Sequence, residues 1–515
     1  MKRRDVLKMG FGATLMLGVA SFAGKSFAEA MDTLAFDHDA YSELTETITT
    51  DAGDRAVTYR FWKAVPYVAN PVDAAYQCLN VSLPVAIDGV AIDASNAPIL
   101  FANSVGGYMP SSVAEAEGVG GGGMTGLPPG GGAGAPAEVQ TGGNAMLNRG
   151  ERVSNSKLAL AAGYVVVEPG ARGRTLVDAS GVYYGVAPAA IVDLKAAVRY
   201  VRHNKGRIPG NTDWIVSSGT SAGGALSALL GASGDSDIYA PYLAEIGAAD
   251  ASDAIFASAD WCPITDLEHA DIAYEWNWGG NPLSSGAAVD AALSTELGAE
   301  FEAYQATLGL SGRHGFGTLT ATNYGDYLVR TYLGPAAETY LAALTTADRQ
   351  AYLTENAFIT YADGKASFSW ADFLIHVGAR KKSAPAFDAF DLSTGENNLF
   401  GLGTTQARHF TLASLRAASG DPAAELDADI AEKLVLMNPM GFLAQANPGR
   451  ARHWWIRVGT KDTDTSLTVV GNLTAALENL GDNVDTRMYW DAGHGANEDA
   501  GAFISWIAAT TGYAA

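Results

Sequence analysis

A serine hydroxyl becomes a nucleophile only when a neighbouring base takes its proton and a carboxylate fixes the tautomer of that base. One segment of the sequence is built to present such a serine: Gly219-Thr220-Ser221-Ala222-Gly223-Gly224, preceded by Trp214-Ile215-Val216 and followed by Ala225-Leu226-Ser227-Ala228-Leu229-Leu230. An apolar β-type run, a glycine-flanked serine and a helix-forming run make up the pattern of a nucleophile elbow. Small residues two before and two after the serine let the chain double back, and the first helical amides then point at whatever the hydroxyl attacks.

The base should come from a loop past a later strand, and of the eight histidines His494 meets that requirement, in Tyr489-Trp490-Asp491-Ala492-Gly493-His494-Gly495. The acid should follow the strand before it. Gly459-Thr460-Lys461-Asp462-Thr463-Asp464-Thr465-Ser466 offers both Asp462 and Asp464, and Asp266, behind an earlier strand, is a third candidate. This segment also reads as a helix cap, whereas a calcium loop fails for want of the glycine and the closing glutamate. Two amides must hold an oxyanion: Ala222, directly after the serine, and the Gly106-Gly107 turn behind an early strand. No H-E-x-x-H or comparable spacing points to a metal, and the chemistry calls for no cofactor.

The elements that would carry these residues alternate. Strands are predicted over 55–64, 78–87, 97–104, 163–169, 254–259, 452–458 and 485–490, with helices over 191–202, 239–246, 466–480 and near 500–510. Strands separated by helical stretches imply a mostly parallel sheet covered on both faces. From about residue 263 to 438 the rhythm gives way to Ala/Leu/Tyr-rich helical sequence, the mark of an insertion that covers the site. The expected organisation is therefore an α/β-hydrolase core over 31–262, a mainly helical lid over 263–438, and the rest of the core over 439–515. A glycine-dominated stretch at 117–136 lacks the Gly-Lys-Ser/Thr of a phosphate cradle and reads as a flexible surface excursion.

With 515 residues and 48% hydrophobic content the chain can bury a large core, and 56 acidic against 33 basic residues disfavour nucleic acid and anionic membranes as partners. Lys2-Arg3-Arg4-Asp5-Val6-Leu7-Lys8, a short glycine-containing apolar run and Ser26-Phe27-Ala28 read as a twin-arginine signal over 1–28, too short to span a bilayer. This predicts a periplasmic or secreted protein without a stable membrane anchor. Cys78 and Cys262 fit either one disulfide or two buried thiols. Oligomeric state is not encoded in any pattern.

Taken together, Val105-Gly106-Gly107-Tyr108-Met109-Pro110, the serine segment, Arg452 to Ser466 and Ala492-Gly493-His494-Gly495 resemble the bacterial tannases, serine esterases that release gallic acid from galloyl esters. The resemblance runs from about residue 50 onward. It implies an α/β-hydrolase fold with a large lid and a small aromatic (galloyl) ester as substrate. Ser221, Asp462 and His494 would be the triad, and Asp464 a ligand of a ring hydroxyl. A lysine and a glutamate from the lid would bind the other hydroxyls; the family spacing puts them at Lys382, in Lys381-Lys382-Ser383, and at Glu396, in Gly395-Glu396-Asn397. The fungal tannase and feruloyl esterase type, with cysteines beside its serine and histidine, is disfavoured by Thr220 and Gly493. Rival expectations are another exported aryl or feruloyl esterase and a non-catalytic polyphenol binder.

Overall fold

The structure is a computed structural model that describes residues 34–125, 145–148 and 151–513. The signal predicted over 1–28 and most of the glycine-rich stretch lie outside the described residues.

Ten strands form one sheet: β1 (Ser42–Thr50), β2 (Gly53–Pro66), β3 (Cys78–Ile87), β4 (Val90–Ala91), β5 (Ile99–Ala102), β6 (Val165–Pro169), β7 (Ile215–Thr220), β8 (Ala257–Trp261), β9 (His453–Gly459) and β10 (Asn483–Tyr489). Their spatial order is β1-β2-β3-β6-β5-β7-β8-β9-β10, with β4 on β3. The first strands pair antiparallel, and β3 pairs antiparallel with β6. From β6 through β5, β7, β8, β9 and β10 every pairing is parallel. The fold is that of an α/β-hydrolase.

Burial explains the contrast. The central strands are buried along their whole length, as in Ile99-Leu100-Phe101-Ala102 and Val165-Val166-Val167, because helices cover both faces. In β1 and β2 exposed and covered residues alternate, since one face meets solvent. Each fully buried Val, Leu or Ile contributes about 1.5–3 kcal/mol, so the centre of the sheet is the rigid part of the molecule.

The helix Ala189–His203, predicted over 191–202, is buried along most of its length, Lys195 and Asp193 included. Both charges are paired, Lys195 with Asp253 at 2.8 Å and Asp193 with Arg172 at 2.8 Å, which is what lets a charged residue face the interior.

After β8 the chain leaves the sheet and returns at β9. The intervening residues form helices that include Ala270–Trp278, Ala291–Leu308, Thr346–Glu355, Trp370–Val377 and Gly395–Leu399. Aromatic contacts tie these helices to one another and to the core: Trp276 stacks on Trp370 of a second inserted helix with ring centroids 5.8 Å apart, and His376 stacks on Trp490 of the core at 5.4 Å. Among the described residues no helix is long and apolar enough to cross a membrane.

Candidate active site

The carboxyl ends of the parallel strands lie along one edge, and the residues just past them converge: Asn103 after β5, Ser221 after β7, Cys262 after β8, Asp462 after β9 and His494 after β10. In open parallel sheets this edge is where ligands bind.

Ser221 has φ 61° and ψ −122°, a conformation that a non-glycine residue adopts only when its surroundings impose it, at a cost of order 1–3 kcal/mol. They do so here. The Ser221 amide donates to the Trp261 carbonyl at 2.9 Å. A Cβ on Gly219 would lie 2.2 Å from the Gly223 carbonyl oxygen, and one on Gly223 would lie 2.5 Å from that of Val105. Glycine is required at both positions. The helix Ala222–Ala232 starts immediately afterwards, with Ala222 as its first residue.

Sequence reasoning passed over the residue that ties this turn together. Asn103 is fully buried, and its amide nitrogen donates at 3.1 Å each to Ser218 O, Gly223 O and Ser227 Oγ. Its Oδ1 accepts from the Val105 amide at 3.2 Å. One side chain thus joins β7, the elbow helix and the chain leading into Gly106-Gly107. An asparagine directly after an apolar strand was the available signal.

Asp462 is wholly buried and accepts from His494 Nδ1 at 2.8 Å, which leaves Nε2 as the nitrogen able to take a proton. The other Asp462 oxygen accepts from the Asp464 amide at 3.0 Å. Thr220 Cγ2 is 3.8 Å from where a Cβ on Gly495 would be, so the serine and histidine loops touch. Burial works to lower the basicity of His494, but the charges of Asp462, Cys262 and Asp464 outweigh it and hold the imidazole well above its ordinary pKa. A base must be neutral to accept the serine proton. Activity is therefore expected to fall, as pH drops, through a midpoint above the usual histidine value of about 6.5. A kcat/KM profile with its acid limb at or below pH ~6 would contradict this coupling.

Asp266, the third candidate acid, is occupied elsewhere: it accepts from His269 at 2.9 Å, from Asn438 at 2.7 Å and from the Tyr304 hydroxyl. The cap of the helix Leu467–Asn479 is Ser466, which leaves Asp464 free of that role.

Asp464 lies 3.9 Å from His494 Nδ1 and forms an ion pair with Lys381 at 2.8 Å. Burial favours its neutral form, but His494, Lys381 and Lys382 prevail and hold the carboxyl below its ordinary pKa. Lys381 makes the direct contact, whereas the Lys382 ammonium lies 3.5 Å from the centroid of the Phe387 ring. The neighbouring Arg380 anchors the backbone at Lys382. It is fully buried against the equally buried Glu275, Nη1 to Oε2 at 2.6 Å, and its Nε donates to the Lys382 carbonyl at 2.8 Å. Glu396 lies in the short helix Gly395–Leu399, where its charge acts on Tyr108 and Arg174.

The helix Ala270–Trp278 fixes the acid loop from above. Tyr274 donates to Thr463 O at 2.7 Å, Trp278 to Thr465 O at 2.8 Å, and Asn277 Oδ1 accepts from the Leu467 amide at 2.8 Å. Asp491 performs the same task for the histidine loop. It accepts from His376 at 2.6 Å and Tyr352 at 2.5 Å and pairs with Lys461 at 3.0 Å. Burial would raise its pKa, but these partners bring it down to about 2.

Both cysteines are free and buried. Cys262 Sγ lies 3.9 Å from His494 Nε2. Cys262, Asp462 and His494 are the trio of described residues whose ligand atoms lie within 4.8 Å of one another. Since Asp462 takes the Nδ1 proton, a cation would find two donors, sulfur and Nε2, where structural zinc takes four. The trio suits proton transfer.

A serine on such a turn, in a loop that touches the loop of a histidine gripped by a buried carboxylate, is the equipment of a carboxylic ester hydrolase. Comparison with known proteins narrows the class. The BD-FAE family model matches residues 142–299. A search of curated proteins returns no match. Among solved structures, a tannin acyl hydrolase in complex with ethyl gallate is 35% identical, with a TM-score of 0.75 over 93% of this chain and 99% of its own. The native tannin acyl hydrolase of Lactobacillus plantarum is 35% identical, with a TM-score of 0.75 over 93% of this chain and 98% of its own. The tannase of Fusobacterium nucleatum is 34% identical, with a TM-score of 0.73 over 93% of this chain and 99% of its own. The chain belongs to the bacterial tannase family.

Proposed function

We propose that the protein is an exported serine esterase that hydrolyses galloyl esters, whether tannins or simple gallates, to gallic acid. The observation that carries this reading is the charged group beside the histidine: Asp464, 3.9 Å from His494 Nδ1, paired with Lys381 and near Lys382. Adjacent phenols donate to carboxylates and accept from ammonium groups, so a carboxylate–lysine pair at this distance from the base suits a hydroxylated ring. A relative crystallised with ethyl gallate supports the same substrate class.

Ser221 Oγ attacks the ester carbonyl as its proton passes to His494 Nε2, and Asp462 stabilises the imidazolium through Nδ1. The amides of Ala222 and of the Gly106-Gly107 turn hold the oxyanion. The C–O bond to the alcohol breaks as His494 returns the proton to the leaving oxygen. Water then gives a proton to His494 and adds to the acyl-serine, and the acyl C–Oγ bond breaks as His494 passes that proton to Ser221 Oγ, which releases the acid and restores both residues. Asp464, Lys382 and Glu396 take the ring hydroxyls, with Lys381 joining Asp464. Segment 263–438 acts as the lid, and the twin-arginine segment 1–28 directs the protein to the periplasm or beyond.

Release of gallic acid from methyl gallate, set against benzoic acid from methyl benzoate, tests this reading. A site that hydrogen-bonds hydroxyls should reject the ester lacking them by a factor on the order of 10⁴. Equal turnover would return the protein to the general aryl esterases. Binding of gallate esters without hydrolysis would make it a polyphenol binder.

A further inference from the structure

The turn that carries Gly106 and Gly107 is strained and has an unassigned support. Gly107 and Tyr108 both have positive φ, 54° and 55°. For tyrosine this is a costly conformation that something must hold in place. The two carbonyls of this pair are gripped by one residue from another loop. The Arg174 amide donates to Tyr108 O at 2.9 Å, and Arg174 Nε donates to Gly107 O at 2.8 Å. The approach is close enough that a Cβ on Gly173 would lie 2.2 Å from Pro110 N.

A peptide unit is planar, and its C=O and N–H point in opposite directions. Gripping the Gly107 carbonyl therefore aims the Tyr108 N–H. The Met109 amide, which donates to Gly106 O at 2.9 Å, aims the Gly107 N–H in the same way. The geometry of any oxyanion donor on this turn depends on these two bonds, and Arg174 supplies the one that comes from outside the turn.

The same guanidinium is the seat of the helix Gly395–Leu399. Arg174 Nη1 donates to Asn398 Oδ1 at 3.1 Å. Gly395 packs so tightly on the guanidinium that a Cβ there would be 2.8 Å from Cζ. Glu396, in the same helix, is the carboxylate whose charge reaches both Arg174 and Tyr108. One side chain thus bridges the Gly106-Gly107 turn and the helix that carries Glu396.

We propose that Arg174 is a positioning residue that couples ring recognition by the Glu396 helix to the alignment of the oxyanion turn. A ring hydroxyl held by Glu396 settles the helix on the guanidinium, and the guanidinium in turn holds the Gly107 carbonyl. Ring contacts are thereby expressed in the chemical step as well as in binding. The proposal rests on the galloyl-esterase reading and on the Gly106-Gly107 turn serving the oxyanion.

The test uses the full-length protein with Arg174→Ala, Arg174→Lys and Gly395→Ala. Arg174→Ala should lower kcat on methyl gallate on the order of 10²–10³-fold, the effect of losing an oxyanion donor, with KM changed far less. Millimolar guanidinium should restore part of that loss. Lysine, which lacks the fork, should recover little. On methyl benzoate, which has no hydroxyl for Glu396, the loss should be roughly tenfold smaller. Gly395→Ala, which leaves Arg174 intact and only displaces the end of a flexible side chain, should lower kcat on methyl gallate in the same direction. Unchanged kcat in folded Arg174→Ala overturns the proposal, as does an equal loss on both esters. If the wild type itself fails to distinguish the two esters, the galloyl reading falls instead, and turnover of p-nitrophenyl acetate by Arg174→Ala still reports on the turn.

Discussion

Ser221→Ala is expected to lower turnover of methyl gallate by about six orders of magnitude, close to 8 kcal/mol of transition-state stabilisation, while the protein folds and binds gallate as before. The argument is local. Alanine keeps the Cβ of serine, so it can occupy the same backbone conformation at φ 61° with the same strain. The restraints on that conformation come from the Trp261 carbonyl, Gly219 and Gly223, none of which contacts the hydroxyl. What disappears is the oxygen that forms the acyl-enzyme in the proposed mechanism. The oxyanion amides and ring contacts remain, so calorimetric titration with gallate should give a dissociation constant within a few-fold of wild type and an unchanged melting temperature. A variant retaining more than about one per cent of wild-type gallic acid release would show that water is activated without the serine.

The parts of this site that the sequence announces are those whose chemistry is local. A nucleophile elbow must have small residues at fixed offsets, so Gly219, Ser221 and Gly223 declare themselves, and the apolar runs that become β3, β6 and β7 lie within a few residues of the predicted spans. Asp462 and His494 follow because each must stand past a strand, and both do. The strand predicted over 254–259 is shifted to Ala257–Trp261, since pairing with β7 and β9 rather than local apolarity decides where it starts. The pairings made at long range are illegible. Nothing near Arg174 or Asp491 in the chain hints that they hold, respectively, the Gly106-Gly107 turn and the histidine loop. Cys262 reads from the sequence as a disulfide partner or a buried thiol, and its place behind β8 puts its sulfur beside the imidazole. The ion pair of Lys381 with Asp464 is another such long-range contact, beside the Lys382 that the family spacing selects as a ring ligand.

The two aspartates of the acid loop should separate cleanly by which kinetic constant they change. In Asp462→Asn the buried side chain keeps an oxygen for the Asp464 amide but can present an NH₂ group to Nδ1, which favours the tautomer with its proton on Nε2. A histidine so protonated cannot accept the serine proton, and kcat should fall about 10⁴-fold with little change in KM. The residual activity should also have its acid limb at lower pH than wild type, because Asp462 is the strongest of the neighbouring charges that raise the imidazole pKa against burial. Asp464→Ala removes a carboxylate that lies farther from Nδ1, at 3.9 Å, and whose direct partner is Lys381. Losing a charged hydrogen-bond partner for a ring hydroxyl costs about 1.5–3 kcal/mol, so KM for methyl gallate should rise roughly 10- to 100-fold. Methyl benzoate, which has no such hydroxyl, should be nearly indifferent to that change. Steady-state kinetics of both variants on both esters decides the matter: a KM effect for Asp462→Asn and a 10⁴-fold kcat effect for Asp464→Ala would exchange the two roles.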